Sequence, residues 1–125
     1  MRVYLDTHVV IWVYEGDAQK LSAEASFALD NSELVVSPAV VLELELLHEI
    51  GRMQIPSQKM ISTLESQIDL AVCTLPFHDV ANQALHEKWA RDPFDRLIVA
   101  NAKAAGAPLI TKDDRIRKHY RRAIW

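Results

Sequence analysis

The sequence predicts an α/β fold of three layers, a short parallel β-sheet of about four to five strands flanked by helices. Three observations carry this expectation. Short apolar runs alternate with longer amphipathic stretches, as a sheet covered on both faces requires. Proline opens several of the amphipathic stretches and glycine closes others, which is how helices begin and end. The 125 residues, half hydrophobic and a quarter charged, show no linker, repeat or low-complexity segment. That is enough chain for one domain over residues 1–125 with a core of its own.

Arg2–Leu5 is read as a strand ending at Asp6, followed by a helix to Tyr14 and a turn at Gly16-Asp17. Leu21–Leu29 is read as helical, with Ser22 near its start, and Leu34–Val36 as a second strand closed by Ser37-Pro38. Pro38 opens a long helix to about Ile50, where Gly51 stops it. A further helix covers Ser57–Gln67, and Asp69–Thr74 is the third strand. Phe77–Trp89 is expected to be helical, Asp92-Pro93 starts the next helix, and Gly106 ends that one. Pro108–Thr111 is the fourth strand, with a short helix and an edge strand at Ala123–Trp125 to follow.

Absences narrow the chemistry. The three glycines, Gly16, Gly51 and Gly106, stand far apart, so neither a dinucleotide fingerprint nor a phosphate-cradling loop is present. No serine sits in a nucleophile elbow. Five histidines and one cysteine show no zinc-ligand spacing. Cys73 has no partner for an internal bridge, which suits a reducing cytoplasm. The apolar N-terminus is interrupted by Asp6 and is too short to span a bilayer, so no membrane partner is expected.

What remains is carboxylate. Open α/β sheets form sites beyond the carboxyl ends of their strands, and Asp6 and Asp113 both fall there. Helix capping accounts for either acid taken singly. Glu43 has Val40, Leu46, Leu47 and Ile50 at helical spacing, which puts its charge on the apolar stripe, whereas Glu45 shares a face with His48, Glu49 and Arg52 on the solvent side. A charge on a core face calls for a metal or a pairing arginine. Asp95 shares its face with Ile98, Val99 and Ala102, although it also suits the third position of a capping arrangement led by Asp92. Four acids at one edge repel one another unless cations neutralise them, and such hard oxygen ligands suit Mg²⁺ or Mn²⁺. Phosphodiester hydrolysis and phosphatase chemistry both use sites of this kind.

The net charge of −3 is unusual for a nucleic-acid partner, but setting four site acids aside turns the remainder positive. Arg115, Arg117, Lys118, Arg121 and Arg122 lie close together near the C-terminus, as an RNA-binding patch or as a solvated helix face.

Four segments, VYLDTHVVIWVY, SPAVVLELELLHEIGRM, DPFDRLIVANAKAAG and PLITKDDRI, occur in an order that resembles the PIN-domain toxins of bacterial VapBC-type toxin–antitoxin pairs. The resemblance spans nearly the whole chain. It implies a PIN fold, Mg²⁺- or Mn²⁺-dependent endoribonuclease activity, a homodimer, and inhibition by a cognate antitoxin protein. It places Asp6, Glu43, Asp95 and Asp113 in the catalytic site, with Asp6, Asp95 and Asp113 as metal ligands. Thr7, Ser37 and Thr111 match supporting polar positions, for which capping is the plain alternative. Asp114 rivals Asp113, and Ala90 stands where family members often carry histidine. A PIN nuclease of RNA maturation, without an antitoxin, is the nearest other reading. A haloacid-dehalogenase-like phosphatase would want an aspartate at His8. A phosphoacceptor receiver domain would want one after the third strand, where Pro76 stands.

Overall fold

A computed structural model describes all residues from Met1 to Trp125. Five parallel strands form one sheet in the order β3-β2-β1-β4-β5. In chain order they are β1 (Arg2–Leu5), β2 (Glu33–Val36), β3 (Ala71–Val72), β4 (Leu109–Ile110) and β5 (Ala123–Ile124). The helices are α1 (Thr7–Glu15), α2 (Ala23–Asn31), α3 (Pro38–Glu49), α4 (Ser57–Ile68), α5 (Phe77–Ala84), α6 (Pro93–Ala104) and α7 (Asp114–His119). The chain builds outward from β1 through β2 to β3, then returns to the other side of β1 for β4. The strand order therefore reverses between β1 and β4, and a crevice opens at their carboxyl ends.

Every residue of β1 after Arg2 is buried, and Leu109 and Ile110 of β4 are fully enclosed. Such continuous apolar strands need cover on both faces, and Val9, Val10, Val40, Leu44, Ile98, Val99 and Ile116 supply it from the helices. The helix starts follow local chemistry. Ser22 accepts from the Ala25 N–H, Ser37 from Ala39, and Asp92 from Phe94 and Asp95, while Pro38 and Pro93 take the first helical position.

Three differences from the sequence reading have physical causes. The third strand shrinks to Ala71–Val72, because β2 is its only neighbour and that pairing covers just two residues. Helix α5 stops at Ala84, and residues 85–90 form tight turns, with Glu87 bonded to Ala84 and Ala90 to Glu87 through their backbones. Glu87 is 1% exposed there, and its carboxylate takes bonds from Lys103 and from the Trp89 indole. Satisfying that buried charge replaces the last turns of the expected helix. In α3 the apolar residues wrap most of the helix, so the core takes Val40 and Leu44 while Leu46 and Ile50 face outward. Glu43 lies beside the buried stripe and is half-buried. Glu45 is half-buried as well: its carboxylate accepts from the Ser57 N–H at 3.0 Å and so caps α4.

Candidate active site

Asp6 follows directly on β1 and caps α1. Its Oδ1 accepts from the Thr7 N–H at 2.8 Å and its Oδ2 from the Thr111 hydroxyl at 2.6 Å. It is 7% exposed, and burial pushes its pKa up against the pull of those two bonds. Thr7, next in the chain, donates its own hydroxyl to Glu43. Burial likewise raises Glu43, with the negative charges of Asp6 and Asp92 adding to it and the Thr7 bond opposing it.

Asp113 caps α7 by accepting from the Ile116 N–H at 2.9 Å, and its own N–H donates to Thr111 Oγ1 at 3.0 Å. One threonine hydroxyl thus ties the end of β1 to the start of α7. Asp95 stands in the first turn of α6, and no hydrogen bond to its carboxylate offsets its surroundings. Burial first, then the negative charges of Asp6, Asp92, Asp113 and Glu43, raise its pKa to about 7. These acids line one open cleft of about 590 Å³. No three of them enclose a single point as they stand. The threonine bonds and the helix caps hold Asp6, Glu43 and Asp113 in place, and mutual repulsion favours separation.

The donor set is still that of a cation site. It consists of carboxylate oxygens alone, with Asp6 buried and Glu43 and Asp95 half-buried, and the raised pKa values of these three reflect burial and mutual repulsion that a cation would relieve. Oxygen-only donors suit a hard divalent cation.

The sequence matches the PIN domain over residues 3–122. The chain belongs to the PIN-domain family. It is 37% identical to Ribonuclease VapC22 of Mycobacterium tuberculosis over 120 residues, which are 94% of this chain and 91% of that protein. Among solved structures, VapBC2 from Rickettsia felis bound to a promoter DNA fragment superposes with a TM-score of 0.64 at 16% identity, covering 98% of this chain and 96% of that one. A toxin–antitoxin complex from Klebsiella pneumoniae gives a TM-score of 0.60 at 18% identity over 91% and 89% of the two chains. At such identities the structures attest the PIN fold.

Within this PIN domain the four acids singled out from the sequence share the cleft, and Thr7 and Thr111 bond directly to two of them. Ser37 caps α3 and lines an apolar groove with Leu42, Phe77 and Leu97, away from the acids. Asp114 reaches the cleft rim but spends its charge on Arg117 at 3.4 Å, whereas Asp113 is the one joined to Thr111.

The basic residues are dispersed. Arg115 donates to the Trp89 carbonyl at 2.7 Å, Arg117 pairs with Asp114, and Arg122 donates to the Gly106 carbonyl. None of these three, nor Lys118 or Arg121, lines the acid cleft. Sequence reasoning missed Asp92 as a further acid there, and missed His8, Trp12 and Lys112 on its wall. Their only signal was adjacency, two residues after Asp6 for His8 and one before Asp113 for Lys112.

Proposed function

We propose that the chain is a divalent-metal-dependent endoribonuclease, one catalytic domain over residues 1–125, and the toxin of a toxin–antitoxin pair. The observation that supports this most is the convergence of Asp6, Glu43, Asp95 and Asp113 on one cleft at the carboxyl edge of β1 and β4. The likeness to Ribonuclease VapC22 directs that chemistry to RNA. In this reading Asp6, Asp95 and Asp113 hold Mg²⁺ or Mn²⁺. When bound, the cation supplies an acidified water and neutralises charge on the phosphate. Asp6 is fixed by its two bonds and gives the site a rigid anchor. Glu43 has a raised proton affinity and is oriented by Thr7, so it suits the role of accepting the attacking water's proton. The scissile P–O bond then breaks with the leaving oxygen taking up a proton from solvent.

The partner follows from the same chemistry and from the toxin–antitoxin assemblies to which the fold is similar. An antitoxin that places an arginine in the acid cleft would pair with the carboxylates and exclude the cation. We assign the protein to the cytoplasm, where its free thiol at Cys73 is stable, and expect a homodimer. No helix is long and apolar enough to cross a membrane.

The test is RNA cleavage by purified protein. Activity should vanish in EDTA, return with Mg²⁺ or Mn²⁺ and return poorly with Ca²⁺, whose looser geometry suits the reaction less. Asp6→Asn should be inactive while folded. Full cleavage in EDTA or by Asp6→Asn would overturn the reading. The purified complex with the antitoxin should be inactive until the partner is removed, and a complex as active as free toxin would refute the inhibition.

A further inference from the structure

The acid cleft has one wall that the carboxylates do not account for. His8 and Trp12, one turn apart on α1, line it together with Lys112, which follows β4. The Trp12 ring centroid lies 6.0 Å from that of His8 and 6.0 Å from that of Trp125, both tilted. The Lys112 ammonium sits over the Trp12 ring, 5.9 Å from its centre. Trp12 is half-buried with its inner side on the core, which is an ordinary structural role. His8 and Lys112 are exposed, and packing does not explain them. Lys112 is the one lysine or arginine lining the cleft, yet the ion pairs of the chain leave it out although Asp113 and Asp114 are its neighbours. The indole, the imidazole and the ammonium thus share one wall of the cleft.

We infer that the Trp12 ring is a stacking platform for an unpaired base beside the scissile phosphate, flanked by the tilted His8 ring, with Lys112 gripping the adjoining phosphate. The inference rests on the nuclease reading and names the residues of this chain that would hold the RNA. A polyanion entering a cleft of aspartates needs a cation within it, and the C-terminal basic residues lie outside. Bases in a duplex are stacked on one another and cannot reach an aromatic ring, whereas those of a loop or single strand can. Stacking on tryptophan or histidine accepts any base, so this wall fixes strand form and position more than sequence. As a base covers the indole, Lys112 moves from the ring to the phosphate next to it.

The experiment measures binding in the Asp95→Asn background, where RNA is not cut, using a short fluorescein-labelled oligouridylate and a duplex RNA as comparison, each over a series of salt concentrations. Lys112→Ala should flatten the dependence of log affinity on log salt by about 0.7, the value of one phosphate contact on a single strand. Trp12→Leu should weaken oligouridylate binding on the order of ten-fold without changing that slope, and Trp12→Phe should retain most of the affinity. His8→Ala should give a smaller loss, and neither ring variant should alter duplex binding. Unchanged affinity in Trp12→Leu, an unchanged slope in Lys112→Ala, or a duplex bound as tightly as the single strand would overturn the inference. Should Trp12→Leu fail to fold, as its melting curve will show, His8→Ala decides, and normal binding by that variant counts against the platform. The outcomes separate the two claims. RNA cut by the unaltered protein with these variants binding normally sinks the platform alone, while no cleavage of any RNA removes the nuclease reading and the platform with it.

Discussion

The Thr111 hydroxyl donates to the buried carboxylate of Asp6 across 2.6 Å, joining residues 105 positions apart. The same oxygen accepts the Asp113 N–H, so one side chain serves two acids of the cleft. Replacing it tests both links at once. Thr111→Val keeps the shape and removes donor and acceptor, leaving the Asp6 carboxylate short of a partner in a buried place. Stability should fall by about 1 to 3 kcal/mol in urea denaturation, with RNA cleavage reduced alongside. A variant as stable as the parent would mean that the hydroxyl is dispensable to Asp6.

Asp95 gives a pH signature. Its pKa rises from 3.8 to about 7 on folding, chiefly through burial and then through Asp6, Asp92, Asp113 and Glu43. The folded state therefore holds a proton that the unfolded chain has released. In metal-free buffer the contribution to stability is full below pH 3.8, declines as pH rises to about 7, and then levels off. Asp95→Asn abolishes this decline, so the variant should melt above wild type at pH 8 and close to it at pH 4. Melting temperatures of both proteins across that range, with EDTA present, check the sign. Parallel curves would refute it.

Glu87 should show the opposite slope. Desolvation pushes its pKa up, but hydrogen bonds from Lys103, Trp89 and Gln83 and the Lys103 charge outweigh this and hold it below the ordinary value. Its contribution is present above the ordinary glutamate range and is lost as pH falls through the lowered value. Glu87→Gln should cost about 2 kcal/mol near neutrality, less than a fully enclosed pair, because the Lys103 side chain remains 27% exposed. The cost should shrink in acid. Chemical denaturation at neutral and acid pH measures both, and a loss independent of pH would contradict the ion-pair account.

The glutamates of α3 separate catalysis from capping. Glu43→Gln should remove cleavage with the fold retained. Glu45→Ala should leave the specific activity of folded protein intact and lower stability by about 1 kcal/mol, since it uncaps α4 at Ser57. Glu49→Gln, at an exposed position, should match wild type in both assays. Lost cleavage in folded Glu45→Ala would place the wrong glutamate in the site.

The strands and the caps of α3 and α6 were legible because they are local. Asp92 before Pro93, Ser37 before Pro38 and the apolar runs of β1 and β2 act over a few residues, and the chain follows them. The four acids that line the cleft were picked out by their places at strand ends for Asp6 and Asp113, by apolar helical neighbours for Glu43 and Asp95, and by the family resemblance for all four. Glu45 was misread because its partner, the Ser57 N–H, is twelve residues away and leaves no periodic trace. Glu87 was invisible for the same reason, being balanced from the turns after α5 by Lys103 on α6. The basic cluster looked continuous in sequence, but Arg115, Arg117 and Arg122 each turn to a different local acceptor. Lys112 and Trp12 meet only because β1 and β4 are neighbours in the sheet, and no spacing rule connects residues so far apart.

The central place of β1 also bears on how the fold assembles. β1 pairs with β4, and β4 in turn with β5. Asp6 stands on one side of that pairing, and its partner Thr111 lies 105 positions along the chain on the other. Contacts of such long range form late in folding. An intermediate in which β4 has not yet docked therefore carries only part of the cleft, and the acids come together only with the finished sheet.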